Sequence, residues 1–227
     1  MAMKKVILIL TIITFIVSCK KADAAACDDC LTFNFENPQP DDDSELDHFP
    51  NKFRGLYMNS DSTYIRIEES RILREQFHKN TIHKLALDSL KGEYDIIDGI
   101  LTIKGFKAKY DMKPKGDSIE LIQKFTDTLF RFSYNQKAKR IDGQLVLSRR
   151  DSVFWNVEFV SITKNEIKFR NIYYPEDLKI MDSLTSIKSR MLDSLCYLIR
   201  PARSELKKIL KIEKLGYDHE YIKVSKL

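Results

Sequence analysis

The chain has 227 residues, 43% hydrophobic, 31% charged and 11% aromatic, with a formal net charge of +5. That length allows one domain of ordinary size or two small ones, and the apolar content supplies a core, so wholesale disorder is excluded. Seven glycines and six prolines exclude collagen-like and low-complexity classes, and the only apolar run near membrane length is N-terminal, which excludes a polytopic membrane protein.

Lys4 and Lys5 precede twelve uncharged residues, Val6 to Val17. Twelve helical residues rise about 18 Å, short of a hydrocarbon core of about 30 Å, so this is the apolar region of an export signal. The run ends Ile16-Val17-Ser18-Cys19. Basic start, apolar stretch and the aliphatic-x-small-Cys ending together resemble the lipobox of bacterial lipoprotein precursors, over these nineteen residues alone. The resemblance implies cleavage before Cys19 and lipidation of its sulfur and amine. One acyl chain binds a membrane only marginally, whereas two or three hold a protein there. Lys20 stands where an aspartate favours inner-membrane retention in the family's sorting rule, which implies outer-membrane delivery, on the periplasmic or the cell-surface face.

Residues 23–50 hold nine acids and no Lys or Arg, whereas residues 51–227 hold 34 basic and 24 acidic residues, a net +10. The acidic piece, with Pro38 and Pro40, reads as a solvated tether, layout 19–50, behind a signal peptide of 1–18. The opposite charges also allow an arm folded back on the basic body. Cys27-Asp28-Asp29-Cys30 is the candidate disulfide. Redox catalysis fits poorly, because flanking aspartates oppose thiolate formation. Zinc fits poorly too, since only Cys196 and His48 could complete a set of four ligands. Cys196, within Leu195-Cys196-Tyr197-Leu198-Ile199, reads as a buried core thiol.

From Phe53 to about Ile172, period-two alternation predicts short strands: Thr63–Ile67, Ile119–Leu121, Leu129–Ser133, Leu145–Leu147, Phe154–Phe159 and Ile167–Arg170. Turn signals separate them at Asn59–Ser62, Asp98-Gly99, Lys115–Asp117, Asp142-Gly143 and Lys164-Asn165. Glu68–Lys91 fits two strands better than a helix. Trp155 is expected in the core. An Asp-Ser-apolar triplet recurs five times at irregular intervals, which is local turn chemistry rather than a repeat.

Pro175-Glu176-Asp177 predicts a helix start, with Leu178, Met181, Leu184, Ile187 and Met191 at helical spacing. Pro201 predicts a second helix, with Gly216 as its stop and Tyr221–Val224 as a last strand. Arg203, Lys207, Lys208, Lys211 and Lys214 form a basic face on that helix. It reads as a solvated face or as a contact for anionic head groups or a protein partner. The expected fold is mainly β, an antiparallel meander closing as a barrel or sandwich. Two C-terminal α-helices from about residue 175 make it α+β overall, with residues 51–227 as a single domain.

Glycine-rich phosphate loops, the G-x-S-x-G elbow and H-E-x-x-H are missing from the sequence. Asp41–Glu45 fails as a calcium loop, because Leu46 stands at the turn glycine and Lys52 at the bidentate glutamate. The expectation is therefore a non-catalytic binding or structural accessory subunit of a cell-envelope complex. It would be lipid-anchored in the outer membrane and partnered by an envelope protein, such as an outer-membrane β-barrel complex. No cofactor, metal or nucleic acid is expected. A lipocalin-like carrier of a small hydrophobic ligand and an envelope glycan hydrolase are the alternatives.

Overall fold

The structure is a computed structural model and describes residues 30–225. Cys19, the export signal and Cys27 lie outside the described residues. In chain order the elements are β1 (Thr32–Phe35), β2 (Gly55–Met58), β3 (Tyr64–Ile67), β4 (Arg71–His83), α1 (Lys84–Asp88), β5 (Tyr94–Ile97), β6 (Ile100–Ile103), β7 (Lys109–Lys115) and β8 (Ser118–Arg131). They continue with β9 (Gln136–Ile141), β10 (Gln144–Asp151), β11 (Phe154–Thr163), β12 (Glu166–Asn171), α2 (Pro175–Leu184), β13 (Arg190–Met191), β14 (Cys196–Ile199), α3 (Arg203–Ile209) and β15 (Tyr217–Val224). The fold is mainly β with short helices, as the alternation predicts.

The chain divides into two compact units rather than the single domain expected. The larger comprises residues 30–76 and 126–225 among those described, and the smaller residues 77–125. In the larger unit the strand order is β13-β14-β1-β11-β12-β15-β2-β3-β4, with β10 pairing both β11 and β9. Nearly every pairing is antiparallel; β1 and β14 run parallel, with Phe33 opposite Tyr197 and Phe35 opposite Ile199. In the smaller unit β5, β6, β7 and β8 form an antiparallel meander over Leu87, Leu101 and Tyr110.

The predicted turns close these hairpins. Asp98-Gly99 and Asp142-Gly143 each place both residues at positive φ, the geometry that matches strand twist in a two-residue loop. Register follows, with Ile97 opposite Ile100 and Ile141 opposite Gln144.

The larger unit is buried on both faces of β10. Leu145 and Leu147 join Phe49, Phe53, Tyr57, Phe130 and Val160 in one cluster. Val146, which the alternation assigns to the opposite face, joins Ile141, Phe159, Leu206 and Leu210, so α3 covers that side. A third cluster packs Phe33, Phe35 and Trp155 against Met181, Ile199, Ile209 and Leu215. Trp155 is buried, as expected.

Several expectations are corrected. From residue 30 on, the acidic segment is not a solvated tether: β1 lies between β14 and β11, and Phe33, Phe35 and Phe49 are buried. Aromatic burial outweighs the segment's charge. Glu68–Lys91 holds one thirteen-residue strand, β4, followed by the short helix α1. Helix α2 ends at Leu184, leaving Ile187 and Met191 exposed despite their spacing. Local polar groups capture the backbone there: Thr185 Oγ1 donates to the Met181 carbonyl, and Asp182 accepts from the Ser189 N–H and hydroxyl. Helix α3 begins at Arg203 rather than Pro201 and ends at Ile209, well before Gly216, so Lys211 and Lys214 lie beyond it and not on a helix face. Cys196 is half-buried on β14, not a core thiol.

Candidate functional site

Three segments of the larger unit, the first more than 140 residues before the other two, meet around a cleft of about 300 Å³. The first is the chain after β1, residues 36–41, which contains the cis Gln39–Pro40 bond. The Gln39 N–H donates to the buried Ser148 hydroxyl at 3.1 Å. Lys139 reaches in from β9 and donates to the carbonyls of Pro40 and Asp41, both at 2.7 Å. Burial pushes the Lys139 ammonium below its ordinary value of 10.5, while the nearby carboxylates of Glu45, Asp41, Asp43 and Asp42 oppose that shift. Just beyond, Asp43 accepts from Arg203 Nε at 2.6 Å and Nη2 at 2.9 Å. Those bonds hold the Asp43 carboxyl below the usual carboxylate range.

The second wall is Ile199, Arg200, Pro201 and Ala202, where β14 leads into α3. The third is Ser186 and Ile187, just past α2, where the Ser186 N–H donates to Glu205 Oε1 at 2.6 Å. Glu205 Oε2 accepts from the Ala202 N–H at 2.7 Å, so one buried carboxylate fixes two of the walls. Across the cleft, the Arg200 guanidinium donates to Glu36.

Gln39 is only 4% exposed and lines this cleft. Its Nε2 donates to the Asn37 carbonyl at 3.1 Å, and its Oε1 has no hydrogen-bond partner among the described residues. The cleft thus offers acceptors in excess: Gln39 Oε1 and the Glu36 and Asp41 carboxylates, set against one guanidinium.

The residues singled out in the sequence lie elsewhere. Cys30 is disulfide-bonded and Cys196 is free. Burial and the neighbouring Asp193 push the Cys196 thiol up, away from reactivity. Of the basic face, Arg203 is taken by Asp43, and Lys207 lies 2.8 Å from Asp142. Lys208, Lys211 and Lys214 are exposed. Among the described residues, no group of three or more His, Cys, Asp or Glu is placed to hold a metal ion, and no helix is long and apolar enough to cross a membrane.

Sequence reasoning missed Gln39, Lys139 and Arg200. None belongs to a chemical motif, and Lys139 sits in a run, Lys137-Ala138-Lys139-Arg140, that reads as solvated. Comparison with known proteins yields no matching family model, no matching curated protein and no matching solved structure.

Proposed function

We propose that the chain is an outer-membrane lipoprotein, anchored through Cys19, that serves as a non-catalytic binding or scaffolding subunit of a cell-envelope complex. The observation that carries this reading is the run Lys4-Lys5, Val6–Val17 and Ile16-Val17-Ser18-Cys19. The β-rich body supports it by offering sheet and loop surface rather than a recognised catalytic motif. The carrier alternative needs an open interior, whereas Phe49, Phe53, Tyr57 and Phe130 fill the middle of the larger unit.

The hydrolase alternative has one observation in its favour: Glu36 and Asp41 line the same cleft. Glycosidase general acids are tuned by desolvation, whereas the Glu36 side chain is 46% exposed and bound by Arg200. Cleavage of glycan fragments that Glu36→Gln abolishes would favour hydrolysis over binding.

Mass spectrometry of the processed chain is the first test, with diacylglyceryl on Cys19 as the expected result. An unmodified thiol there, or processing elsewhere, overturns the anchor. Purification in mild detergent is the second. A protein that always runs alone overturns the role as a subunit.

A further inference from the structure

We propose that the cleft between residues 36–41, 186–187 and 199–202 binds a small ligand through its primary ammonium group. Gln39 Oε1 is the leading observation. It is a hydrogen-bond acceptor on a side chain withdrawn from water, and its amide is oriented by the Nε2 bond to the Asn37 carbonyl, so the acceptor end is the one left over. A buried acceptor without a donor is costly, and a ligand N–H removes that cost.

The charges around it choose the donor. Glu36 and Asp41 against Arg200 leave the lining with a net charge of −1, and Lys139 behind Asp41 is itself faced by Glu45, Asp43 and Asp42. An anionic ligand is repelled, and an ammonium brings three donors to a lining rich in acceptors, with Gln39 Oε1 reached once its amide turns toward the cleft. The volume of about 300 Å³ is at the lower end for small-molecule sites, which fits an amine of a few heavy atoms. Ile187 and Ile199 supply apolar contact for its carbon chain.

The walls are held before any ligand arrives. Lys139 clamps the Pro40 and Asp41 carbonyls, and Glu205 ties the Ser186 and Ala202 N–H groups together. A site fixed in advance loses little ordering entropy on binding.

Arg200 adds a selection step. It is paired with Glu36 in the free protein. An incoming ammonium competes for Glu36 and frees the guanidinium, which can then take a carboxylate on the same ligand. A plain diamine and an α-amino acid therefore share the recognised group but differ in their use of Arg200.

Isothermal titration calorimetry on the full chain in non-ionic detergent tests this, with putrescine, lysine, glycine betaine and acetate as probes. Saturable binding of putrescine, lysine or both is expected, with none for acetate or for glycine betaine, whose nitrogen carries no hydrogen. Asp41→Asn, at an exposed position, is expected to weaken binding by about tenfold, the effect of losing one charge-assisted hydrogen bond. Gln39→Leu is expected to do the same, with circular dichroism reporting its fold. Should that variant misfold, Asp41→Asn still decides. Arg200→Ala sorts the sources: selective weakening of lysine marks an amino-acid site, and equal or tighter binding of both marks an amine site. No saturable heat with either amine, betaine binding as well as lysine, or Asp41→Asn binding like the parent overturns the proposal. The result is independent of lipid on Cys19 and of any envelope partner, so it stands or falls apart from the function proposed above.

Discussion

Glu75 lies 2% exposed in β4, and its carboxylate accepts from Arg66 Nε and Nη2, both at 3.0 Å. Those bonds hold the Arg66 guanidinium more firmly in its charged form, against the opposing effect of burial. Removing the carboxylate strands a cation that keeps only part of its water, since the Arg66 side chain is 32% exposed. Glu75→Ala should therefore cost about 2–3 kcal/mol, less than for a fully buried pair. Urea unfolding followed by Trp155 fluorescence reads it, and an unchanged midpoint would mean that Arg66 simply rehydrates. Tyr57 acts through pH instead. It is fully buried, its hydroxyl donates to the Phe53 carbonyl at 2.9 Å, and burial pushes the phenol above its ordinary 10.0. The folded state keeps a proton that the unfolded chain releases. This contribution is complete below pH 10.0 and is lost as pH rises through the raised value. Lys139, held below 10.5 by burial, works in the opposite sense, adding stability as pH rises toward 10.5. Comparing Tyr57→Phe with the parent cancels Lys139. The variant should lose about 1 kcal/mol at neutral pH and then decline less steeply above pH 10. Parallel stability curves would remove Tyr57 from the alkaline transition.

Elements are joined by a few backbone groups whose importance depends on their surroundings. Gly216 follows α3 at φ +71°, and a Cβ there would lie 2.3 Å from the Asn171 carbonyl oxygen. Its N–H donates to Asp177 Oδ1 at 2.8 Å, and the other oxygen of that carboxylate accepts from the Tyr173 and Tyr174 N–H groups at the start of α2. Asp177 thus ties the end of β12, the start of α2 and the approach to β15 together. Gly216→Ala should cost about 2 kcal/mol or more, because strain and collision add. Gly99→Ala, at φ +76° with nothing within 4 Å, should cost only about 1 kcal/mol, the left-handed penalty alone. Thermal unfolding of the two variants checks the contrast, and equal losses would mean that β12 gives way freely. The same local signals explain how much was legible in the sequence. Turns carry their own chemistry, so Asp98-Gly99 and Asp142-Gly143 could be placed, and so could the proline-led start of α2, whereas α3 stops at Ile209, short of Gly216. Alternation sets Val146 on the face opposite Leu145 and Leu147 but cannot reveal that α3 covers that second face of β10. Ile187 and Met191 kept helical spacing past Leu184, where Thr185 and Asp182 redirect the backbone. The cleft was illegible for a related reason. Gln39 lies far in sequence from Ser186 and Arg200, and none of the three marks a function until the fold brings them together.

At the scale of the whole molecule, the place where the acidic segment joins the body would set how far the proposed lipid on Cys19 could hold it from the bilayer. A free tether up to residue 50 would span about 110 Å fully extended, and about 30 Å as a relaxed coil. In the structure, β1 is already paired with β14 and β11 at residues 32–35, so the body begins near residue 32 rather than at residue 51. The eleven peptide steps from Cys19 to Cys30 reach at most about 40 Å. Two kinds of force hold the segment in place. Glu36–Arg200, Asp43–Arg203 and Glu45–Lys137 are partly exposed ion pairs, each worth little and weakened further by salt. Phe33, Phe35 and Phe49 are buried in the clusters of the larger unit, and burial of that kind is insensitive to salt. The apolar contribution should win. If Cys19 carries the proposed lipid, neutron reflectometry of the protein on a supported bilayer is expected to show the same water gap at low salt and at 1 M salt. A segment held by charge alone would peel away in high salt, and the gap would widen.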